Sequence, residues 1–255
     1  MKTPFLAAAL VAACAVAHAT IVGSTGVPAP ASSAASGVDP AVAARRAADA
    51  AEINRATALI QAGQQQAAIE RVLDPLIAAQ QAEYGAHKDA TLYCANSPTE
   101  SLLYLMQAAN AKQAAVVLDG TWCNALFMRG YAELDLGKVA AAEADFGRAL
   151  APSPNNPHYL SEMGALHAKR REWNEALAFY HRAEEAAKAF SAEGRADWEL
   201  GAALRGIGYI DVELGKLDEA EAAYRRCLAI DPQDKKAQGE LGYVLNLRLK
   251  AGQAK

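Results

Sequence analysis

Four cysteines and five histidines carry most of the covalent, metal-binding and proton-transfer chemistry open to this 255-residue sequence. Metal ligation or nucleophile activation needs such residues at short fixed spacings, as in CxxC or HExxH, and no such pattern occurs. His87, His158, His167 and His181 lack a nucleophile or second carboxylate at a spacing suited to general acid–base work. There is no Gly-rich phosphate loop and no GxSxG. Glu184-Glu185 and Glu219 lie in charge-rich helical stretches, where a solvated face is expected. Cys227 sits among small apolar residues and reads as a small buried hydrophobe. Cys94 and Cys123 are a candidate disulfide, although spacing alone does not show that they meet. These residues predict a protein that is not an enzyme and needs no metal or cofactor.

The composition is that of a globular chain, 52% hydrophobic with a net charge of −4, and its basic residues are scattered, which argues against a nucleic-acid footprint. Lys2, the apolar run Phe5 to Val16 and the triplet Ala17-His18-Ala19 predict a secretory signal over residues 1–19, cleaved before Thr20. Val11-Ala12-Ala13-Cys14 resembles the lipobox of bacterial lipoproteins, so lipidation of Cys14 is the alternative. Either route predicts an exported, bacterial-type protein: periplasmic, or else an outer-membrane lipoprotein or a secreted chain. No second apolar run of membrane length follows. Residues 20–38, rich in Ala, Ser, Gly and Pro, read as a flexible leader.

The elements that must position the remaining residues begin at Asp39-Pro40, an N-cap followed by proline at the first helical position, with helix to Ala62 and a break at Gly63. Gln64 to Glu83 reads as a second helix that Pro75 should kink or restart. Residues 84–96 break the pattern and read as a loop. Ser97-Pro98-Thr99-Glu100 is a capping box opening a helix to about Ala111. The segment VVLDG, residues 116–120, should lead into the next helix rather than form a sheet, because no partner strand is visible.

From Trp122 onward the sequence repeats. Gly130 and Gly164, Ala142 and Ala176, Phe146 and Tyr180, and Ala149 and Ala183 are each 34 residues apart. The same register returns as Gly208, Ala220, Tyr224 and Cys227, ten residues late, and again as Gly242. These residues resemble the tetratricopeptide repeat, a 34-residue helix-turn-helix. Copies run over 123–156, 157–200 with an insertion, and 201–234, followed by a capping helix over 235–250. Gly and Ala let the two helices of a pair approach closely, the aromatic should fill the gap between one pair and the next, and glycine makes the turn. Arg129, Glu133 and Asp211 depart from the pattern, standing where apolar or aromatic residues are preferred. The insertion should extend the helices around a turn near Gly194. The resemblance implies an all-α fold, a right-handed α-solenoid of antiparallel helix pairs: a TPR domain over residues 120–255, preceded by a degenerate helical region over 39–119.

In the family, positions 2, 5, 9 and 12 of each copy line a concave groove. The matching positions here include Asn124, Phe127, Tyr131 and Leu134, then His158 and Ser161, then Arg205 and Tyr209, and Tyr243 in the cap. Phe127, Tyr131, His158, Arg205, Tyr209 and Tyr243 are therefore the expected partner-binding residues. Tyr and Arg are enriched at binding hot spots, but such tyrosines can instead pack between neighbouring first helices with only their hydroxyls wet. The Lys, Arg and Asn clamp by which some members hold a C-terminal carboxylate is not reproduced. The resemblance thus implies a non-catalytic scaffold of the cell envelope binding a partner peptide or helix. The alternatives are a lipid-anchored assembly or secretion accessory and a self-assembling structural subunit. The architecture constrains the scaffold and not the peptide.

Overall fold

The computed structural model describes residues 39–192 and 194–253; the signal, the leader and Cys14 lie outside the described residues. Helix α1, Pro40–Gln61, starts where Asp39 Oδ1 accepts from the Ala41 N–H at 2.8 Å. After the turn at Gly63, α2, Gln65–Ala68, passes through a π turn, Ile69–Leu73, into α3, Asp74–Tyr84. Pro75 thus restarts the helix without breaking it. The Asp74 N–H reaches back five residues to the Ile69 carbonyl, and the proline, which has no N–H to give, follows immediately. The turn buries Ile69, Val72 and Leu73.

The chain next departs from expectation. The stretch 84–96 is not all loop, and the segment from 116 does form sheet: β1, Thr91–Cys94, pairs in parallel with β2, Ala115–Leu118, from Thr91 opposite Ala115 to Cys94 opposite Leu118. Each strand has four residues and no alternation of buried and exposed positions, so the period of two that betrays a strand is missing. The parallel crossover is α4, Pro98–Asn110. Ser97 Oγ accepts from the Glu100 N–H at 3.1 Å, and the Glu100 carboxylate accepts from the Asn96 N–H at 2.7 Å and from the Tyr104 hydroxyl at 2.6 Å. Tyr104 is fully buried and stacks on Tyr93 of β1 at 4.5 Å. Cys94 and Cys123 are joined by a disulfide, with Cα atoms 6.4 Å apart.

The helix pairs follow: α5 Thr121–Asp135 with α6 Val139–Leu150, α7 Pro157–Lys169 with α8 Trp173–Phe190, and α9 Ala196–Glu213 with α10 Leu217–Ile230, then α11 Lys235–Gln253. A Cβ on Gly130 or Gly208 would stand 2.7 Å from the ring of Phe146 or Tyr224, and one on Gly164 would stand 3.1 Å from Tyr180. Each aromatic therefore lies on the glycine of its own pair. Tyr180 also takes the expected place between pairs, since its ring abuts Gly206 of the next pair. The insertion lengthens both flanking helices to 18 residues each, around Gly194 at φ +77°.

Arg129, one departure from the pattern, holds Asp145 through two nitrogens at 2.5 and 2.8 Å and Asp74 at 2.7 Å, tying α3 to the first pair. One apolar core runs from Ala56 of α1 to Leu166 of α7, a second from Ala168 to Val244, and Leu160, Ala183, Ala186 and Ala203 form a small cluster of their own.

Candidate functional site

The expected groove residues fall into separate neighbourhoods. Phe127, on α5, is core: 5% exposed, its ring lies 5.1 Å from Phe146 and 4.6 Å from Tyr159. It is the floor beneath a surface and does not line one. Tyr131, one turn on, packs at 6.2 Å against it. His158 of α7, half-buried, sits 4.6 Å from Phe127 on one side and 5.1 Å, edge-on, from Trp198 of α9 on the other. Its Nε2 is 3.7 Å from Glu162 Oε1. Trp198 is 47% exposed, with the Arg195 guanidinium 5.5 Å from its ring centre. Tyr131, Phe127, His158 and Trp198 thus form a run of rings across the first helices of three consecutive pairs.

Arg205 is elsewhere. Its guanidinium is ion-paired with Asp234, whose other oxygen accepts from the Lys236 and Ala237 N–H groups at 3.0 Å each and so caps α11. The Cys227 thiol donates to the same carboxylate at 3.3 Å. Burial, and then that carboxylate, push the thiol up to about 11, so it is an unreactive group at neutral pH. Arg205 therefore fastens the last helix instead of facing a ligand. Tyr209 is half-buried against the edge of Trp173 at 6.5 Å, and burial, followed by Glu213, raises its hydroxyl above the usual range. Tyr243 stands exposed on α11.

Trp198 and Arg195 were not singled out from the sequence because both lie in the ten-residue lengthening, off the 34-residue register. Glu184, expected on a solvated face, is 6% exposed and held by Lys188 at 2.8 Å and by Arg226. His167 Nδ1 lies 2.6 Å from Glu172, and its ring stacks on Phe179. Among the described residues no three His, Cys, Asp or Glu side chains converge as a metal set, and no helix is long and apolar enough to cross a membrane.

In the third pair, residues 201–234 match the model described as Tetratricopeptide repeat. The chain carries a tetratricopeptide repeat. The Cell division cycle protein 16 homolog of Mus musculus is 32% identical over 107 residues, 42% of this chain, and its Homo sapiens counterpart is 31% identical over the same length. The chain spans only 17% of either relative. Among solved structures, that of Pseudomonas aeruginosa pilF aligns over 81% of this chain and 72% of its own, with a TM-score of 0.54 at 12% identity. That likeness is one of fold, and the TPR α-solenoid is the fold of this chain.

Proposed function

We propose that the chain is a non-catalytic interaction scaffold of the cell envelope that grips a partner peptide or helix across α5, α7 and α9. The observation that carries this reading is the run of rings ending at Trp198. Its exposed indole, flanked by the Arg195 guanidinium and braced by His158, brings together residue types enriched at hot spots. The buried Phe127 beneath keeps the platform rigid, so little side-chain freedom is lost on binding. Three of the carboxylates are engaged in ion pairs: Asp145 with Arg129, Glu184 with Arg226 and Lys188, and Asp234 with Arg205.

Export is supported by the signal-like residues 1–19 and by the disulfide between Cys94 and Cys123, a bond that persists in oxidising compartments. Val11 to Cys14 favour a second reading, a lipid-anchored accessory. Expressing the full chain in a bacterial host and determining its mature N-terminus separates them: Thr20 supports the free periplasmic form, and a lipidated Cys14 the anchored one.

The binding face is tested by selecting a random-peptide display library on the native chain and measuring each enriched peptide against a Trp198→Ala variant of unchanged helicity. A loss of tenfold or more in affinity is expected. Peptides that bind both forms equally would move the site off this face.

A further inference from the structure

Helix α11 is built as the first helix of another pair. In the 34-residue register its Ala237 and Val244 correspond to Ala203 and Ile210 of α9, and all four are fully buried. The other side of α11 differs from its counterparts. Gly130, Gly164 and Gly208 each lie beneath an aromatic ring of their own second helix, whereas a Cβ on Gly242, next in the same register, would meet nothing within 4 Å. Beside it Leu245 is 37% exposed and Leu249 67%, and among the described residues no helix lies over the glycine.

We propose that this face of α11 is a docking site for one amphipathic helix of a partner protein, with an aromatic residue at its centre and small residues four before it and three after it. The chain itself shows what such a seat accepts. Three times a helix lies over the register glycine, with Ala142, Phe146 and Ala149, with Ala176, Tyr180 and Ala183, and with Ala220, Tyr224 and Cys227. The small residues permit close approach, and the ring occupies the space left by the missing Cβ. Over Gly242 that space is open and flanked by leucines, so an occupant of the same pattern buries both its ring and the apolar face beneath it. Charge gives the occupant a further property. Arg248 of α11 is already held by Asp218 and Glu221 of α10, while Lys235, Lys236 and Lys250 stand against a single acid, Glu240, which favours an occupant that carries acidic residues. This surface is separate from the Trp198 face and does not depend on it.

The probe is a labelled synthetic peptide of residues 217–230, the chain's own α10, titrated by fluorescence anisotropy into the full chain. Saturable binding is expected, at least tenfold weaker for a Tyr224→Ala peptide. It should also be at least tenfold weaker for Gly242→Leu protein, whose new side chain fills the seat while circular dichroism stays unchanged, and for Leu245→Lys as an independent variant. The Trp198→Ala chain should bind the peptide as the native chain does, and a loss there would overturn the separateness of the two surfaces. Absence of binding overturns the proposal. So does binding indifferent to Gly242→Leu, which would mean that the peptide exchanges with the resident α10. A native dimer in light scattering that Gly242→Leu converts to monomer would assign the face to a second copy and overturn the partner helix.

Discussion

Two residues store unfavourable energy that a single substitution should release. Arg171 is at φ +61°, in the turn between α7 and α8, where the corresponding turns use Gly63, Gly137 and Gly215 at φ between +74° and +75°. The left-handed conformation puts a Cβ against the neighbouring carbonyl and costs a non-glycine residue about 1–2 kcal/mol. Part of that gain is offset by the greater freedom of glycine in the unfolded chain. Arg171→Gly is therefore expected to stabilise by about 0.5–1 kcal/mol, seen as a higher urea midpoint with an unchanged m-value; a lower midpoint would show that the arginine side chain contributes more than its backbone costs. Asp211 is the second. It is 5% exposed, and burial raises its carboxyl above the usual range despite the attraction of Lys216. A carboxyl whose value is raised by folding keeps its proton longer in the native state, so rising pH removes stability from the ordinary aspartate value up to the higher folded one. Below that window both states are protonated and the cost is absent. Asp211→Asn should thus raise the urea midpoint at neutral pH and leave it unchanged well below the carboxylate range, and a gain independent of pH would exclude charge burial as its cause.

At the scale of elements, the module of β1, α4 and β2 depends on a covalent clip. The disulfide between Cys94 and Cys123 closes a span of 29 residues and ties β1 to the start of α5, while a two-stranded sheet by itself is marginal. A Cys94→Ala/Cys123→Ala variant should lose about 3 kcal/mol, as should the native chain under reductant. Hydrogen exchange should rise first in residues 91–118 while α7 to α11 keep their protection; uniform loss would show that the clip supports the whole chain. This module was also the least legible part of the sequence. The helix starts at Asp39 and Ser97 could be read because each cap is a local interaction, with an oxygen and an N–H two or three residues apart. The glycines of the helix pairs were legible because the same steric demand recurs every 34 residues. The strands are defined by partners distant in sequence, each other at 24 residues, the disulfide at 29 and the Cys94 N–H on the Pro152 carbonyl, and by a buried glutamate and tyrosine on the crossover helix, none of which leaves a period. Arg205 misled for a similar reason: its groove position was visible, but its partner Asp234 lies 29 residues away in the cap of another helix. Trp198, the most exposed ring of the candidate site, lay in the one stretch where the register slips.

For the whole molecule, stability should pass from neighbour to neighbour, since each pair of a solenoid touches mainly the next. Two cores divide the chain, the first ending at Leu166 and the second beginning at Ala168, so their coupling rests on what crosses the middle. Tyr180 does so most directly. Its ring lies between Gly164 of its own pair and Gly206 of the following one; a Cβ on Gly206 would collide with it, and one on Gly164 would press on it at 3.1 Å. Deleting this ring removes contacts on both sides at once, whereas Tyr224 lies over the glycine of its own pair. Truncation of a large buried aromatic costs about 3–5 kcal/mol. Tyr180→Ala should therefore do more than lower stability: α9 to α11 should lose hydrogen-exchange protection together and ahead of α1 to α6, and the calorimetric transition should broaden or split, with the van't Hoff enthalpy falling below the calorimetric one. Tyr224→Ala, of comparable cost, should weaken the C-terminal end with less effect on the junction. If Tyr180→Ala instead unfolds in one cooperative step, with every helix losing protection in parallel, the separate cluster of Leu160, Ala183, Ala186 and Ala203 suffices to hold the halves together and the tyrosine is not their hinge.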